Sequence, residues 1–218
     1  TYAGGIIGRV SSRFSCPVIV SCVNKGKITT AAGQAGGIVG LGDYYTYIDK
    51  CVNLGEVHGA VSVKDIIYQY YTVSTTASGI ANGSNIINCL NRGKVTAHSV
   101  ATSDLCTIEA QAYASGIGGT CVYNSCNEGD VKSIIRSEVY SYDNLQCSRS
   151  AIFVGGISCQ NYGIIYNCYN RGDVDYSARQ ENVRDQFYKA WEIHIGGIAG
   201  SSSKEKIEHS FYSNRSAS

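Results

Sequence analysis

Several residue types are nearly missing from this chain: its 218 residues include no methionine, one proline, one tryptophan and four phenylalanines. With one proline there is no Pro-rich linker, so residues 1–218 read as a single domain. The chain has no initiating methionine and opens on Thr1-Tyr2-Ala3-Gly4-Gly5, without a charged segment followed by an apolar core. It is therefore expected to be a mature or excised segment of a longer protein, without a signal peptide of its own. Charged residues make up only 16% and nearly cancel, leaving a net charge of +1. That excludes the basic footprint of a nucleic-acid binder and an acidic surface for cations. No run of about 18 apolar residues occurs, so no membrane insertion is expected. His-Glu-x-x-His, Cys-x-x-Cys, Gly-x-Ser-x-Gly and phosphate-binding loops are also missing, and no cofactor or metal is expected.

What the chain has is glycine (25), tyrosine (17) and cysteine (10). Val, Ile, Thr and Tyr favour strands, and the good helix formers are not dominant, so the class is all-β. A two-part unit recurs. Its first part is a Gly-Ile strand, with copies near residues 4, 36, 78, 115, 155 and 196. Its second part runs apolar-x-x-Cys/Ser-x-Asn-x-Gly-x-Val/Ile. The Cys/Ser position holds Cys22, Cys51, Cys89, Ser125, Cys168 and Ser210, and Asn24, Asn53, Asn91, Asn127 and Asn170 follow. In the sixth copy Tyr212 replaces Asn, so that copy reads as a degenerate terminal repeat.

From Cys to Val the marked positions fall two apart, so they share one face of a strand. The three-residue step from the leading Ile to Cys implies a bend or bulge. The glycine of Asn-x-Gly suits a corner with positive φ. No copy can bury its apolar residues alone, so the copies must stack. The expected fold is a right-handed parallel β-helix of about six rungs. In it the cysteines form a buried column and the asparagines an amide ladder. The insertions after Val57, Val95, Val131 and Val174 are expected to leave one corner as β-arms forming a second small sheet, and the charged stretch 179–195 suits a helical turn. Cys106 and Cys147 sit at comparable places in two insertions and are a candidate disulfide pair.

Gly36-Gly37-Ile38-Val39-Gly40 and Asn167-Cys168-Tyr169-Asn170-Arg171-Gly172-Asp173-Val174 resemble the GLUG-type repeat. That repeat occurs in bacterial cell-surface and adhesin-like proteins and in the non-catalytic part of immunoglobulin-A-cleaving metallopeptidases. The resemblance covers nearly the whole chain, except the long insertions. It implies an extracellular or cell-surface structural module and carries over no catalytic residue.

Candidate site residues can each be set beside a plainer account. Arg171-Gly172-Asp173 spells an integrin-binding tripeptide, but the same corner reads Lys25-Gly26-Lys27 and Leu54-Gly55-Glu56 elsewhere, so the match is chance. His58 and His98 lie at similar offsets and lack the further ligands a zinc site needs. Asp130 and Asp173, with Asp175 beside them, are the carboxylates a β-helix polysaccharide enzyme would use. Tyrosines are the most distinctive surface feature. Tyr44, Tyr45, Tyr68, Tyr70, Tyr140, Tyr142 and Trp191 are the candidate ligand-binding residues, each an apolar ring with a polar tip suited to a glycan or protein partner. The functional expectation is a non-catalytic spacer or adhesive surface. Its partners would be a glycan, a host or cell-surface protein, or neighbouring domains and subunits at the solenoid ends. The alternative is a polysaccharide lyase or hydrolase.

Overall fold

A computed structural model describes residues 1–11, 15–64, 70–103, 107–139, 148–181, 189–203 and 206–213. Among them there is no helix, and parallel strands stack as a β-solenoid. Four long walls run along the stack, here named for their recurrent residue.

The glycine wall has six strands: Tyr2–Gly4, Gln34–Gly36, Tyr70–Ser78, Thr107–Ser115, Ser148–Gly155 and Lys189–Gly196. The isoleucine wall also has six: Val18–Val20, Tyr47–Asp49, Asn85–Ile87, Cys121–Tyr123, Ile165–Tyr166 and Ile207–Glu208. The asparagine wall stacks Val23–Asn24, Val52–Asn53, Leu90–Asn91, Cys126–Asn127, Tyr169–Asn170 and Phe211–Tyr212. The valine wall has five strands: Ile28–Thr30, Val57–Val63, Val95–Ser103, Val131–Val139 and Val174–Glu181. Between the glycine and isoleucine walls lies a short fifth side. It pairs Ile7–Arg9 with Val39–Leu41, and Ser158–Asn161 with Ala199–Ser202, with bridges Val39–Ala81 and Ala81–Gly118 between them.

The core follows from the repeat. Ile38, Ile80, Ile117 and Ile157 from the Gly-Ile strands meet Ile48, Ile86, Val122 and Ile165 from the isoleucine wall, all fully buried. Each such side chain contributes about 1.5–3 kcal/mol on leaving water. Since one rung offers only two or three of them, only stacking closes the core.

The inserted residues differ from expectation. They do not build a separate sheet among the described residues; they lengthen the valine and glycine walls. The two lengthened walls face each other over Val61, Val73, Ala97, Ala101, Ile108, Ala110, Ala112, Ile135 and Ile152. The alternation of small apolar residues in Ile108-Glu109-Ala110-Gln111-Ala112 is strand parity continuing past the coil, and continuing an open ladder satisfies more backbone groups than starting a new sheet. Val174–Glu181 and Lys189–Gly196 are strands of the valine and glycine walls, and 182–188, the middle of the stretch expected to hold a helical turn, lie outside the described residues.

A second correction concerns the corners. None of Gly26, Gly55, Gly93, Gly129 and Gly172 has a positive φ. The left-handed residue is the one just before Cys or Ser: Ser21, Lys50, Asn88, Asn124, Asn167 and His209, with φ between 47° and 55°. This is the bend that the three-residue step requires, and asparagine at three of the six suits it. The Asn-x-Gly glycine is needed for a different reason, the closeness of the rung beneath. A Cβ on Gly93 would sit 1.9 Å from the Gly55 carbonyl oxygen, and one on Gly129 2.1 Å from that of Gly93.

Candidate functional site

Two columns of polar side chains run through the stack. In the first, Asn24 Nδ2 donates to Asn53 Oδ1 at 2.7 Å, Asn53 to Asn91 at 2.8 Å, Asn91 to Asn127 at 2.7 Å and Asn127 to Asn170 at 2.7 Å. Each Nδ2 also donates to the carbonyl of the glycine two residues on, as Asn91 does to Gly93 at 2.8 Å. All five are buried, and in Asn24, Asn53, Asn91 and Asn127 both amide hydrogens are satisfied without water. The amides lie against the second glycine of the Gly-Ile strand. A Cβ on Gly79 would fall 2.4 Å from Asn91 Cγ, and one on Gly116 the same distance from Asn127 Cγ.

The second column is more than a row of small hydrophobes. Cys22 N–H donates to Cys51 Sγ and Cys51 N–H to Cys89 Sγ, each at 3.4 Å. Cys89 N–H donates to Ser125 Oγ at 3.0 Å and Cys168 N–H to Ser210 Oγ at 3.2 Å. Each thiol or hydroxyl in turn donates to the carbonyl two residues earlier, across the left-handed corner; Cys89 does so to Ile87 at 3.2 Å and Ser125 to Tyr123 at 2.8 Å. The position therefore needs a small side chain that both donates and accepts, which limits it to Cys or Ser. Burial pushes the Cys168 thiol up to about 11. Cys89 is raised as well, by its hydrogen bond with Cys51 and then by burial. In-register parallel strands hold facing Cβ atoms about 4.8 Å apart, beyond the usual disulfide span of about 3.5–4.5 Å, so the column stays as thiols. The eight described cysteines are all free, and the candidate pair Cys106–Cys147 lies outside the described residues. Cys89→Ser is expected to change stability by less than about 1 kcal/mol. Cys89→Ala, which orphans the buried Cys51 N–H, is expected to cost about 1–3 kcal/mol. Urea unfolding of the two variants checks this.

Of the surface candidates, Tyr44 and Tyr45 are the two whose side chains are described. Tyr44 and Tyr45 are exposed and meet edge to face at 5.8 Å on a turn capped by Asp43, whose Oδ1 accepts from Tyr45 N–H at 3.1 Å. Trp191 lies in the glycine wall, its backbone opposite Ser150, and Tyr70 begins a strand of the same wall; the placement of their side chains lies outside the description. Tyr68, Tyr140 and Tyr142 lie outside the described residues.

Asp130 and Asp173 do stand on adjacent rungs, with Asp173 N–H donating to Asp130 Oδ1 at 3.2 Å. Asp175 pairs with Lys132 at 2.6 Å, and that hydrogen bond holds its carboxyl below the ordinary value. His58 and His98 are lowered, mainly by burial. Among the described residues no three His, Cys, Asp or Glu converge as metal ligands.

Sequence reasoning missed one feature. On the outer face of the glycine wall Tyr113, Phe153 and His194 stack in register, with centroids 5.1 and 4.7 Å apart and planes within 11° and 7°. Phe153 is nearly buried and packs with Cys159. Burial pushes the Tyr113 hydroxyl up to about 12. The signal was present: Tyr113, Phe153 and His194 each precede the second position of Ser/Gly-Gly-Ile by the same offset, and lining up the copies at those glycines exposes the column. Beside it, where the glycine wall meets the short fifth side, is a cleft of about 250 Å³. Comparison of the chain with protein-family models, with curated proteins and with solved structures finds no match.

Proposed function

We propose that this chain is a non-catalytic structural module of an extracellular or cell-surface protein. In this reading it is a right-handed coil of six rungs whose lengthened strands project as arms at the valine-to-glycine corner, and it spaces or presents ligand-binding surfaces. One observation carries the reading: the recurrent polar residues, Cys or Ser and Asn, spend their hydrogen-bonding capacity on neighbouring rungs and on their own corners, so the repeat encodes extension and not chemistry. The resemblance to the GLUG-type repeat points the same way. Exposed apolar side chains on the terminal strands, Val18 and Val23 at one end and Ile207 and Phe211 at the other, suit a neighbouring domain or a second copy continuing the stack. Light scattering across a concentration series tests the second copy; association that rises with concentration is the expected result.

The competing reading, a polysaccharide-active enzyme, draws on the adjacency of Asp130 and Asp173. Incubation with a panel of polysaccharides, followed by assay of new reducing ends and unsaturated products, separates the two. No product is expected. Turnover that disappears in Asp130→Asn or Asp173→Asn would overturn the structural reading.

A further inference from the structure

We infer that the cleft between the glycine wall and the short fifth side is a binding site for an uncharged polysaccharide segment. The inference rests on the ligand-presenting reading above and gives it a place and a chemistry.

The cleft exists because the short side lacks side chains where it turns. Gly83, Gly118 and Gly119 have φ of 73°, 91° and 86°, and a Cβ on Gly118 would lie 2.1 Å from the Ala81 carbonyl oxygen. Leu41 and Gln160 line the hollow beside these glycines, which put no side chain into it. Its base is fastened from both sides. Asn82 Nδ2 donates to the Ala35 carbonyl at 3.1 Å and the Gly40 carbonyl at 2.8 Å, and Cys159 N–H donates to Ser115 Oγ at 2.8 Å. The hollow is thus preformed, which lowers the ordering cost of binding.

The lining selects the ligand. Among the described residues around the cleft none is Lys, Arg, His, Asp or Glu. A phosphate, a uronate or a nucleic acid finds no cation there, and an amine finds no carboxylate. Hydroxyls and amides are offered instead, from Thr76, Thr120 and Gln160. Gln34 Oε1, on the glycine wall, is buried with no hydrogen-bond partner and lacks a donor that a sugar hydroxyl would supply. Tyr162 forms one rim. The residue is 63% exposed and its hydroxyl is anchored on Gln160 Oε1 at 2.9 Å, leaving a fixed flat face for the C–H face of a sugar ring. Rungs repeat every ~4.8 Å along the cleft, so a linear polymer lying along it can meet Gln34 and Thr76, register partners on adjacent rungs. An extended peptide would gain less, because the strands flanking the cleft already pair within their own sheets.

Affinity electrophoresis through gels containing β-glucan, xylan, mannan or, as the anionic control, polygalacturonate tests the inference. Retardation by at least one neutral polysaccharide is expected. It should weaken about tenfold in Tyr162→Ala and in Gln34→Leu and be unchanged in Tyr176→Ala, which alters an exposed tyrosine of the valine wall. Far-UV circular dichroism confirms the fold of each variant, and Tyr162 is exposed enough to be replaced without loss of core. Retardation by no neutral polysaccharide, retardation by polygalacturonate alone, or equal retardation of Tyr162→Ala would each overturn the site. Capture of an extended peptide that Tyr162→Ala abolishes, with no glycan bound, would overturn it too. If a bound neutral glycan shortens with time, the site stands and the non-catalytic reading falls.

Discussion

Gly93→Ala is expected to destabilise the stack by about 4 kcal/mol or more, while Gly26→Ala, at the same position of the repeat, is expected to be neutral or stabilising by about 0.5 kcal/mol. The two glycines share a motif and, by φ, a backbone class, since neither is left-handed. They differ in what lies beneath. A Cβ on Gly93 would lie 1.9 Å from the Gly55 carbonyl oxygen and 2.8 Å from Asn53 Nδ2. The first is backbone held in the asparagine wall and the second belongs to the amide ladder, so neither can yield without opening the rung spacing. A Cβ on Gly26 meets only Asn24 Oδ1, at 3.6 Å, because Val23–Asn24 is the edge strand of its wall. There alanine removes freedom from the unfolded chain and strains nothing in the folded one. Thermal melts followed by circular dichroism should separate the variants by roughly 10 °C, at about 2–4 °C per kcal/mol for a chain of this size. Equal melting temperatures would mean that the asparagine-wall glycines answer to local conformation, not to the rung below.

That contrast marks what a single copy of the repeat can and cannot reveal. Strand parity from Cys51 to Val57 shows in the spacing, and burial alternates accordingly, with Cys51, Asn53, Gly55 and Val57 inside and Leu54 and Glu56 outside. Parity is a property of one strand, so one strand shows it. The reason for Gly55 is a property of two rungs, and spacing along the chain does not give the distance between levels. Without it, positive φ is the natural account of a glycine, and the left-handed burden falls unnoticed on Lys50, Asn88 and their equivalents. The cleft was hidden in the same way. Gln34, Gly118 and Tyr162 come from three different copies and join only when the copies stack. The tyrosines that were legible, Tyr44 and Tyr45, were conspicuous because they are neighbours in sequence.

Asn91→Ala is expected to cost about 3–5 kcal/mol, the largest effect of any side-chain truncation on the asparagine wall. Asn91 is fully buried at the middle of the ladder. Truncation removes its acceptance from Asn53 Nδ2 at 2.8 Å and its donation to Asn127 Oδ1 at 2.7 Å and to the Gly93 carbonyl at 2.8 Å. It also opens a hollow beside Gly79, which cannot move in because its own neighbours are backbone. Asn91→Asp keeps the shape and separates the two contributions. An ionised carboxylate cannot donate to Asn127 Oδ1 or to the Gly93 carbonyl, and burial raises its pKa above that in the unfolded chain. Stability lent by the protonated form is present below the unfolded pKa of about 3.9 and is lost as pH rises through the higher folded value. The Asp variant should therefore approach the parent at acid pH and fall towards the Ala variant near neutrality, a trend the parent lacks at this position. Because the amides all point the same way along the stack, each polarises the next. Asn53→Ala combined with Asn91→Ala should then cost less than the sum of the two alone, by about 0.5–3 kcal/mol in a double-mutant cycle. Strict additivity would reduce the ladder to five independent asparagines.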